Sequence, residues 1–240
     1  KPGTCTSSTR TQPDEFARTN CRGTNIVMDC ARQLEIPRVV HISTDEVYGS
    51  VEDGSSLETD PLEPRSPYSA SKAGSDLIAL SYHATHGVPV SVTRCTNNFG
   101  PYQYPEKAIP LFTTNLIDGR PIPLYGDGLN ERDWIHVDDH NAAAHLVLTD
   151  GAPGEIYNIG AGNETPNRAL VDALLAIFGV GDEMVTYVED RLGHDRRYSV
   201  DIAKITALGW ARQRSFADDL TSTVDWYRDN EWWWRPLKER

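Results

Sequence analysis

Apolar residues recur along the chain in short blocks whose spacing alternates between that of a helix and that of a strand. From Phe16 to Leu34 they return at helical intervals, which predicts a helix over 14–34. Pro37 ends that helix, and the run from Arg38 to Ser43 predicts a short buried strand. The residues expected on the apolar side of the first helix are Phe16, Ile26, Val27, Cys30, Ala31 and Leu34. Further helices are predicted at 67–86, 106–118, 138–149, 166–178, 201–208 and 216–229, and β segments at 88–94, 121–125, 155–159 and 184–188.

This alternation of strand, loop and helix predicts an α/β fold with a parallel sheet. Polar or Gly/Pro-rich loops are predicted at 49–65 and 97–105. We expect residues 1–100, with a contribution from 121–150, to form the main sheet. Residues 101–240 are expected to form mainly a smaller α/β lobe that is interleaved with it.

Composition narrows the range of functions. Hydrophobic residues make up 39% and charged residues 24% of the chain, an ordinary globular mixture. A net charge of −12 argues against nucleic-acid binding, although a few arginines can still form a local positive pocket. Four scattered cysteines without metal-ligand spacing predict reduced thiols and no metal site. Neither a membrane span nor a signal peptide is predicted, so we expect a cytoplasmic protein.

Tyr68 and Lys72 lie four positions apart in a predicted helix and therefore share one face. An ammonium group beside a phenol favours the phenolate, which predicts a lowered tyrosine pKa and a general base. Taken alone, this spacing is more often an exposed Tyr/Lys pair.

Thr44, Asp45 and Glu46 follow directly after the first predicted strand. The carboxyl ends of strands in an open α/β sheet point into the ligand crevice, where two carboxylates can divide acid and base roles. A solvated acidic loop is the alternative interpretation. The presence of Tyr68, 22 positions after Glu46 across a strand, loop and helix pattern, favours catalysis.

Later in the chain, other polar residues could contact a ligand. Asn97 and Asn98 follow the strand at 88–94 and could bind a hydroxyl-rich ligand or a carboxamide, or simply form a turn. Arg132, Arg191 and Arg197 are candidates for phosphate binding, because the guanidinium is forked and permanently charged. Solvated surface charge is the alternative for the last two.

Together these motifs resemble the dTDP-glucose 4,6-dehydratases, a family of extended short-chain dehydrogenases/reductases. The Asp-Glu pair after Thr44 is the specific signal, because the related epimerases and decarboxylases generally lack it. Resemblance runs from about residue 13 to the C-terminus. The segments that carry it are 41–49, 66–76, 94–103, 105–110, 130–140, 157–160 and 226–237.

The resemblance implies NAD-dependent dehydration of dTDP-glucose to the 4-keto-6-deoxy sugar nucleotide. Tyr68, assisted by Lys72, would take the proton of the sugar 4-hydroxyl while NAD accepts hydride from C4. Glu46 would then remove the C5 proton, and Asp45 would protonate the departing 6-hydroxyl. Hydride would return to C6, and Thr44 would hold the 4-oxygen.

Binding residues are also implied by the resemblance. Tyr68, Lys72 and Asn98 would contact the cofactor, and Tyr125 would stack on the pyrimidine. The expected substrate contacts are Thr44, Asn97, Lys107, Ala108, Pro123, Leu124, Tyr125, Arg132, Asn163, Asp190, Arg191, Leu192, Gly193 and His194.

The family's N-terminal glycine-rich loop and the acidic residue that holds the adenosine ribose have no counterpart in this sequence. The Rossmann-type parallel sheet that the resemblance implies is therefore expected to be incomplete at its N-terminal side. We therefore expect a truncated reading frame whose product, alone, binds NAD poorly and has little activity. Two other functions stay open: a UDP-sugar epimerase or decarboxylase, or a non-catalytic homologue that pairs with a complete one. The helices at 14–34 and 67–86 resemble those that pair in the family's homodimers, so a homodimer is expected.

Overall fold

The computed structural model describes residues 13–190 and 194–238. Its main sheet consists of β1 (Val39–Thr44), β2 (Val90–Cys95) and β6 (Ile156–Ile159), all parallel and in the order β1-β2-β6. All six residues of β2 are buried, as expected for a strand with a neighbour on each side and helices on its faces. The predicted α/β fold with a parallel sheet is confirmed.

Two smaller sheets lie in the later part of the chain. In one, β5 (Glu131–His136) pairs in parallel with β3 (Asn97–Phe99) and antiparallel with β7 (Glu164–Pro166). In the other, β4 (Ile122–Tyr125) pairs in parallel with β8 (Val185–Val188). The helices are α1 (Pro13–Phe16), α2 (Gly23–Gln33), α3 (Pro67–His86), α4 (Ala108–Ile117), α5 (Val137–Asp150), α6 (Asn167–Phe178), α7 (Ala203–Ala207), α8 (Phe216–Asp229) and α9 (Glu231–Lys238).

Each part has its own apolar core. The main sheet and helix α5 enclose a cluster that includes Ile135, Val147 and Ile159. A larger cluster fills the later lobe, where helices α4, α6 and α8 pack together. Its buried members are Phe99, Ile109, Phe112, Leu116, Ile122, Leu124, Trp134, Leu170, Val171, Leu174, Leu175, Leu220 and Val224.

Helix α3 begins and ends where the sequence predicts, because both ends carry strong local signals. Ser66 and Ser69 form a capping box, and Pro67 occupies the first turn, where its missing N–H costs nothing. Gly87 closes the helix in the left-handed conformation at φ 69°. This rigid helix carries Tyr68 and Lys72.

The helix predicted over 14–34 differs from the observed one in two ways. A π-helical segment, Ala17–Arg22, interrupts it between α1 and α2. The side of α2 that packs inward also differs: Met28 and Ala31 are buried, whereas Ile26, Val27 and Leu34 are 52%, 57% and 71% exposed. Periodicity defines an apolar side of a helix but does not say which neighbour covers it.

Two further predictions on local structure need correction. The loop predicted at 97–105 begins with the short strand β3, and β5 was not predicted because its first three residues are charged. The predicted division of the chain into two parts near residue 100 stays a prediction. Strand β6 completes the main sheet, although it lies outside the ranges expected to form that sheet.

Among the described helices, none is long and apolar enough to cross a membrane.

Candidate active site

Thr44 ends strand β1 and begins the short 3₁₀ helix Asp45–Tyr48, which carries the two predicted catalytic carboxylates. Its hydroxyl oxygen accepts a hydrogen bond from the Glu46 backbone N–H at 3.3 Å. The same hydroxyl donates to Asp45 Oδ1 at 3.2 Å. Thr44 therefore acts as the cap of this turn and fixes one oxygen of Asp45.

The Asp45 side chain is held in a protonated state by its surroundings. It is 4% exposed, and among the described residues its Oδ2 atom has no hydrogen-bond partner. Burial and the nearby charge of Glu46 raise its pKa to about 8, against the opposing effects of the Thr44 hydrogen bond and of Arg132. At neutral pH Asp45 is thus a carboxylic acid that can donate a proton.

Tyr68 lies within electrostatic reach of both carboxyl groups. Burial raises its pKa, and the negative charges of Glu46 and Asp45 add to that rise. Its ring packs edge-on against Phe16, with the centroids 5.7 Å apart.

The predicted lowering of the tyrosine pKa is therefore wrong for this arrangement. Lys72 Nζ donates to the backbone oxygen of Ile42 at 2.6 Å, and burial lowers the pKa of the amine. The ammonium group is thus anchored at the end of β1, while the tyrosine hydroxyl faces desolvation and two carboxylates.

Asn98, on β3, has a fixed side-chain orientation. Its Nδ2 atom donates to Cys95 Sγ at 3.3 Å and to the Thr96 carbonyl at 3.2 Å. Within the described ranges its buried Oδ1 has no partner, and the same holds for Oδ1 of Asn97. Both amides thus offer acceptors to a ligand N–H or O–H, and the carboxamide of a nicotinamide, with its two N–H donors, fits Asn98.

Arg132 brings positive charge from β5 to the catalytic turn. Its side chain is 6% exposed, and its guanidinium lies 4.4 Å from the centre of the Tyr198 ring. Burial lowers its pKa, while the charges of Asp45 and Glu46 oppose that effect. The predicted phosphate ligand is therefore a neighbour of the predicted acid and base.

Asn163 is positioned by Asp133, a residue that the sequence analysis did not select. Asp133 accepts backbone N–H groups from Ala161 at 2.7 Å, Gly162 at 3.2 Å and Asn163 at 2.8 Å. Within the described part of the chain, the buried Nδ2 of Asn163 has no partner. No sequence signal pointed to Asp133, because its burial depends on strand β5, which the sequence pattern does not predict.

Other predicted substrate contacts form a second group around His194. Its ring Nδ1 lies 2.7 Å from Asp190 Oδ1, and its ring packs edge-on against Tyr125 with centroids 6.4 Å apart. The predicted residues Arg191, Leu192 and Gly193 lie outside the described residues.

The remaining predicted contacts differ in what they can offer a ligand. Lys107 precedes helix α4 and has a largely exposed side chain, whose Nζ lies 3.8 Å from Glu106 Oε1. Ala108 is the first residue of that helix. Pro123 is half-buried on β4. Leu124 lies in the apolar core, so only its backbone could contact substrate.

A buried polar network, which sequence reasoning missed, joins the elements that carry these groups. Arg94 on β2 donates to Asp76 on α3 at 3.0 Å and to the Tyr48 hydroxyl at 2.8 Å. Tyr48, in the 3₁₀ helix after Thr44, donates in turn to Asn158 Oδ1 at 2.8 Å.

Across residues 13–190 and 194–238, no group of three or more His, Cys, Asp or Glu side chains could hold a metal ion.

Comparison with known proteins agrees with this geometry. A family model described as GDP-mannose 4,6 dehydratase matches residues 6–223. A dTDP-glucose 4,6-dehydratase of Streptomyces antibioticus is 58% identical over 231 residues, covering 96% of this chain and 69% of the relative.

Solved structures of dTDP-glucose 4,6-dehydratases also resemble this chain. DesIV, a dTDP-glucose 4,6-dehydratase of Streptomyces venezuelae with NAD bound, has a TM-score of 0.94 at 53% identity, covering 98% of this chain and 74% of that one. The Bacillus anthracis enzyme in complex with NAD has a TM-score of 0.88 at 47% identity, covering 92% and 71%. The chain belongs to the dTDP-glucose 4,6-dehydratase family, as its motifs predict.

Proposed function

We propose that this protein converts dTDP-glucose to dTDP-4-keto-6-deoxyglucose by NAD-dependent oxidation, elimination of water and re-reduction. The observation that supports this most directly is that the charges of Glu46 and Asp45 both act on Tyr68 and that the charge of Glu46 acts on Asp45. A carboxyl group with a pKa of about 8 thus lies near a second carboxylate and a phenol. Elimination of water needs one acid and one base, and this pair supplies both.

Tyr68, Lys72 and Asn98 are the residues that would hold the nicotinamide side of the cofactor. Bound NAD would supply hydride chemistry, accepting hydride from C4 and returning it to C6. Asn98 would receive a carboxamide N–H at its unpartnered Oδ1. Tyr68 would receive the proton of the sugar 4-hydroxyl, and Thr44 would hold the 4-oxygen.

Because burial and two carboxylates raise the pKa of Tyr68, its phenol needs positive charge nearby before it can act as a base. Lys72 is one helical turn away on α3 and is the residue placed to provide it.

The elimination step uses the two carboxylates in opposite roles. Once C4 carries a keto group, the C5 hydrogen is acidic, and Glu46 takes it as a proton. Asp45 gives its proton to the leaving 6-hydroxyl, so the C6–O bond breaks and water departs. Burial of Asp45 favours the neutral carboxylic acid that this role requires.

Arg132, Asn163 and the group formed by Tyr125, Asp190 and His194 would bind the nucleotide diphosphate. Arg132 supplies buried positive charge, and Tyr125 supplies an aromatic ring for the pyrimidine. The other proposed substrate contacts are Asn97, Lys107, Ala108, Pro123, Leu124, Arg191, Leu192 and Gly193.

We also propose a homodimer that forms through helices α2 and α3. The support is the apolar surface these helices expose, with Ile26, Val27 and Leu77 all more than half exposed. Replacing Val27 and Leu77 with Asp should convert the dimer to a monomer in size-exclusion chromatography with light scattering. A cytoplasmic location stays a prediction.

Incubating the purified protein with NAD and either dTDP-glucose or UDP-glucose, followed by mass spectrometry, tests the function. Because the sequence predicts little activity for this chain alone, we expect a small amount of the dTDP sugar to lose one water, and Tyr68→Phe to abolish that conversion. An epimerase would leave the substrate mass unchanged. If the substrate is converted only after a full-length homologue is added, that result supports the non-catalytic alternative.

A further inference from the structure

Tyr198 and Asp195 form a clamp around the guanidinium group of Arg132. The centre of the Tyr198 ring lies 4.4 Å from the guanidinium carbon, which is positioned over the ring. The Tyr198 hydroxyl donates to Asp195 Oδ2 at 2.6 Å. Arg132 Nη2 donates to the Asp195 backbone oxygen at 2.8 Å. All three side chains are buried, so the arrangement is closed on itself and shielded from water.

The clamp holds the guanidinium through backbone oxygens, and the nearby carboxyl groups of Asp45, Glu46 and Asp195 favour its charged form against the effect of burial. Three of its five N–H groups donate to the backbone oxygens of Glu131, Asp195 and Arg196. The remaining N–H groups, one on Nε and one on Nη2, lie outside these three contacts and can donate to a ligand. A phosphate oxygen is a well-matched acceptor for a guanidinium in this position.

Tyr198 itself is not a candidate acid or base. Burial and the charge of Glu46 raise its pKa, and its hydroxyl is committed to Asp195. The phenol therefore stays neutral and serves as a flat surface. Guanidinium groups stack well on such surfaces because they are planar and weakly hydrated.

Asp195 also reaches the region that we assign to the nucleotide. Asn130 Nδ2 donates to the Asp195 backbone oxygen at 3.2 Å and lies 3.1 Å from His194 Nδ1. His194 in turn packs against Tyr125. The clamp thus connects Arg132 with the side chains proposed to hold the base.

We propose that Tyr198 and Asp195 are positioning residues that hold Arg132 with its two remaining N–H groups directed at the diphosphate of the substrate. This inference rests on the proposed function, because it takes the nucleoside diphosphate to be the anion. It predicts that damage to the clamp weakens the binding of a diphosphate and leaves the binding of an uncharged nucleoside unchanged.

Binding of dTDP, measured by titration calorimetry, and of thymidine, measured by ligand-observed NMR, tests this. Thymidine carries the same base and sugar but no phosphate. Tyr198→Leu removes the stacking surface and should weaken dTDP binding about thirtyfold, the equivalent of a desolvated cation–π contact. Thymidine binding should not change. Tyr198→Phe keeps the ring and should weaken dTDP binding only about threefold.

Tyr187→Leu is the matched control, since this tyrosine lies in the same lobe with an exposed ring, and dTDP binding should be unaffected. If Tyr198→Leu does not fold, Asp195→Asn, which keeps the backbone oxygen, should show the same selective loss at about threefold. If these variants bind dTDP as tightly as the wild type, or lose affinity equally for dTDP and thymidine, the proposed role of the clamp is wrong. The proposed substrate is not affected by that result. A wild-type protein that binds no dTDP would refute the proposed substrate, and the inference with it.

Discussion

Arg94 Nε donates to Asp76 Oδ2 at 3.0 Å, and both side chains are almost fully removed from water. This contact joins the central strand β2 to helix α3, which carries Tyr68 and Lys72. Through Tyr48, Arg94 also reaches the turn that carries Asp45 and Glu46. One buried cation therefore links the proposed hydroxyl activator to the proposed acid and base.

Arg94→Met should lower the free energy of unfolding by about 3–5 kcal/mol, because it leaves the Asp76 charge buried without its partner. Urea unfolding measures the change. The control is Arg18→Met, whose ion pair with Glu15 is exposed on both sides and should cost under about 1 kcal/mol. Similar losses in the two variants would contradict the importance of burial for this pair.

Asp45 should make stability decrease as the pH rises. Its folded pKa of about 8 lies above its value of 3.8 in an unfolded chain, so the folded state binds more protons between these values. The stabilising contribution is complete below about pH 4 and is lost as the pH rises through 8. Asp45→Asn should therefore gain stability relative to wild type from pH 5 to pH 9 in urea unfolding. If the free energies of unfolding of the two proteins change in the same way with pH, the Asp45 pKa is not raised.

Tyr227 on α8 supports the loop that follows β3. Its hydroxyl donates to the Gln103 backbone oxygen at 2.5 Å, and Gln103 Nε2 donates to the Asn98 carbonyl at 2.7 Å. Tyr227→Phe should cost about 1 kcal/mol locally and speed amide exchange of peptides spanning 98–107 about fivefold. Hydrogen exchange with mass spectrometry reads this directly. Tyr104→Phe, with an exposed ring in the same loop, should leave the exchange rates unchanged.

Asp133→Ala should destabilise the protein by about 3 kcal/mol, because three backbone N–H groups lose a charged acceptor. Affinity for dTDP should fall as well, since Asn163 is one of the three residues held. Thermal unfolding and calorimetry measure the two effects. The comparison is Asp138→Ala on the surface of α5, where we expect a change below about 1 kcal/mol.

Sequence patterns predict the fold best where the determinants are local. Helix α3 has Ser66, Pro67 and Gly87 as end signals, and its predicted bounds are confirmed to the residue. Strand β5 has no such signal, because its first residues are charged. Arg132 and Asp133 are buried there only because their partners come from the segments around 163 and 195.

The same distinction applies to the site. Thr44, Asp45 and Glu46 are contiguous and were recognisable as a motif, and Tyr68 and Lys72 are one turn apart. Tyr198 acts through Arg132, 66 positions earlier, and no periodicity connects them. The predicted direction of the Tyr68 pKa shift was wrong for a related reason, since burial and the charges of two carboxyl groups on another element raise it.

Mass spectrometry and proton NMR of the product formed from dTDP-glucose and NAD in D₂O test the proposed dehydration most directly. Glu46 is partly accessible, so the proton it takes from C5 should exchange with solvent before C5 is protonated again. We predict a product that has lost one water and carries one deuterium at C5. A product with the mass of the substrate, or a dehydrated product without deuterium at C5, would contradict the roles proposed for Asp45 and Glu46.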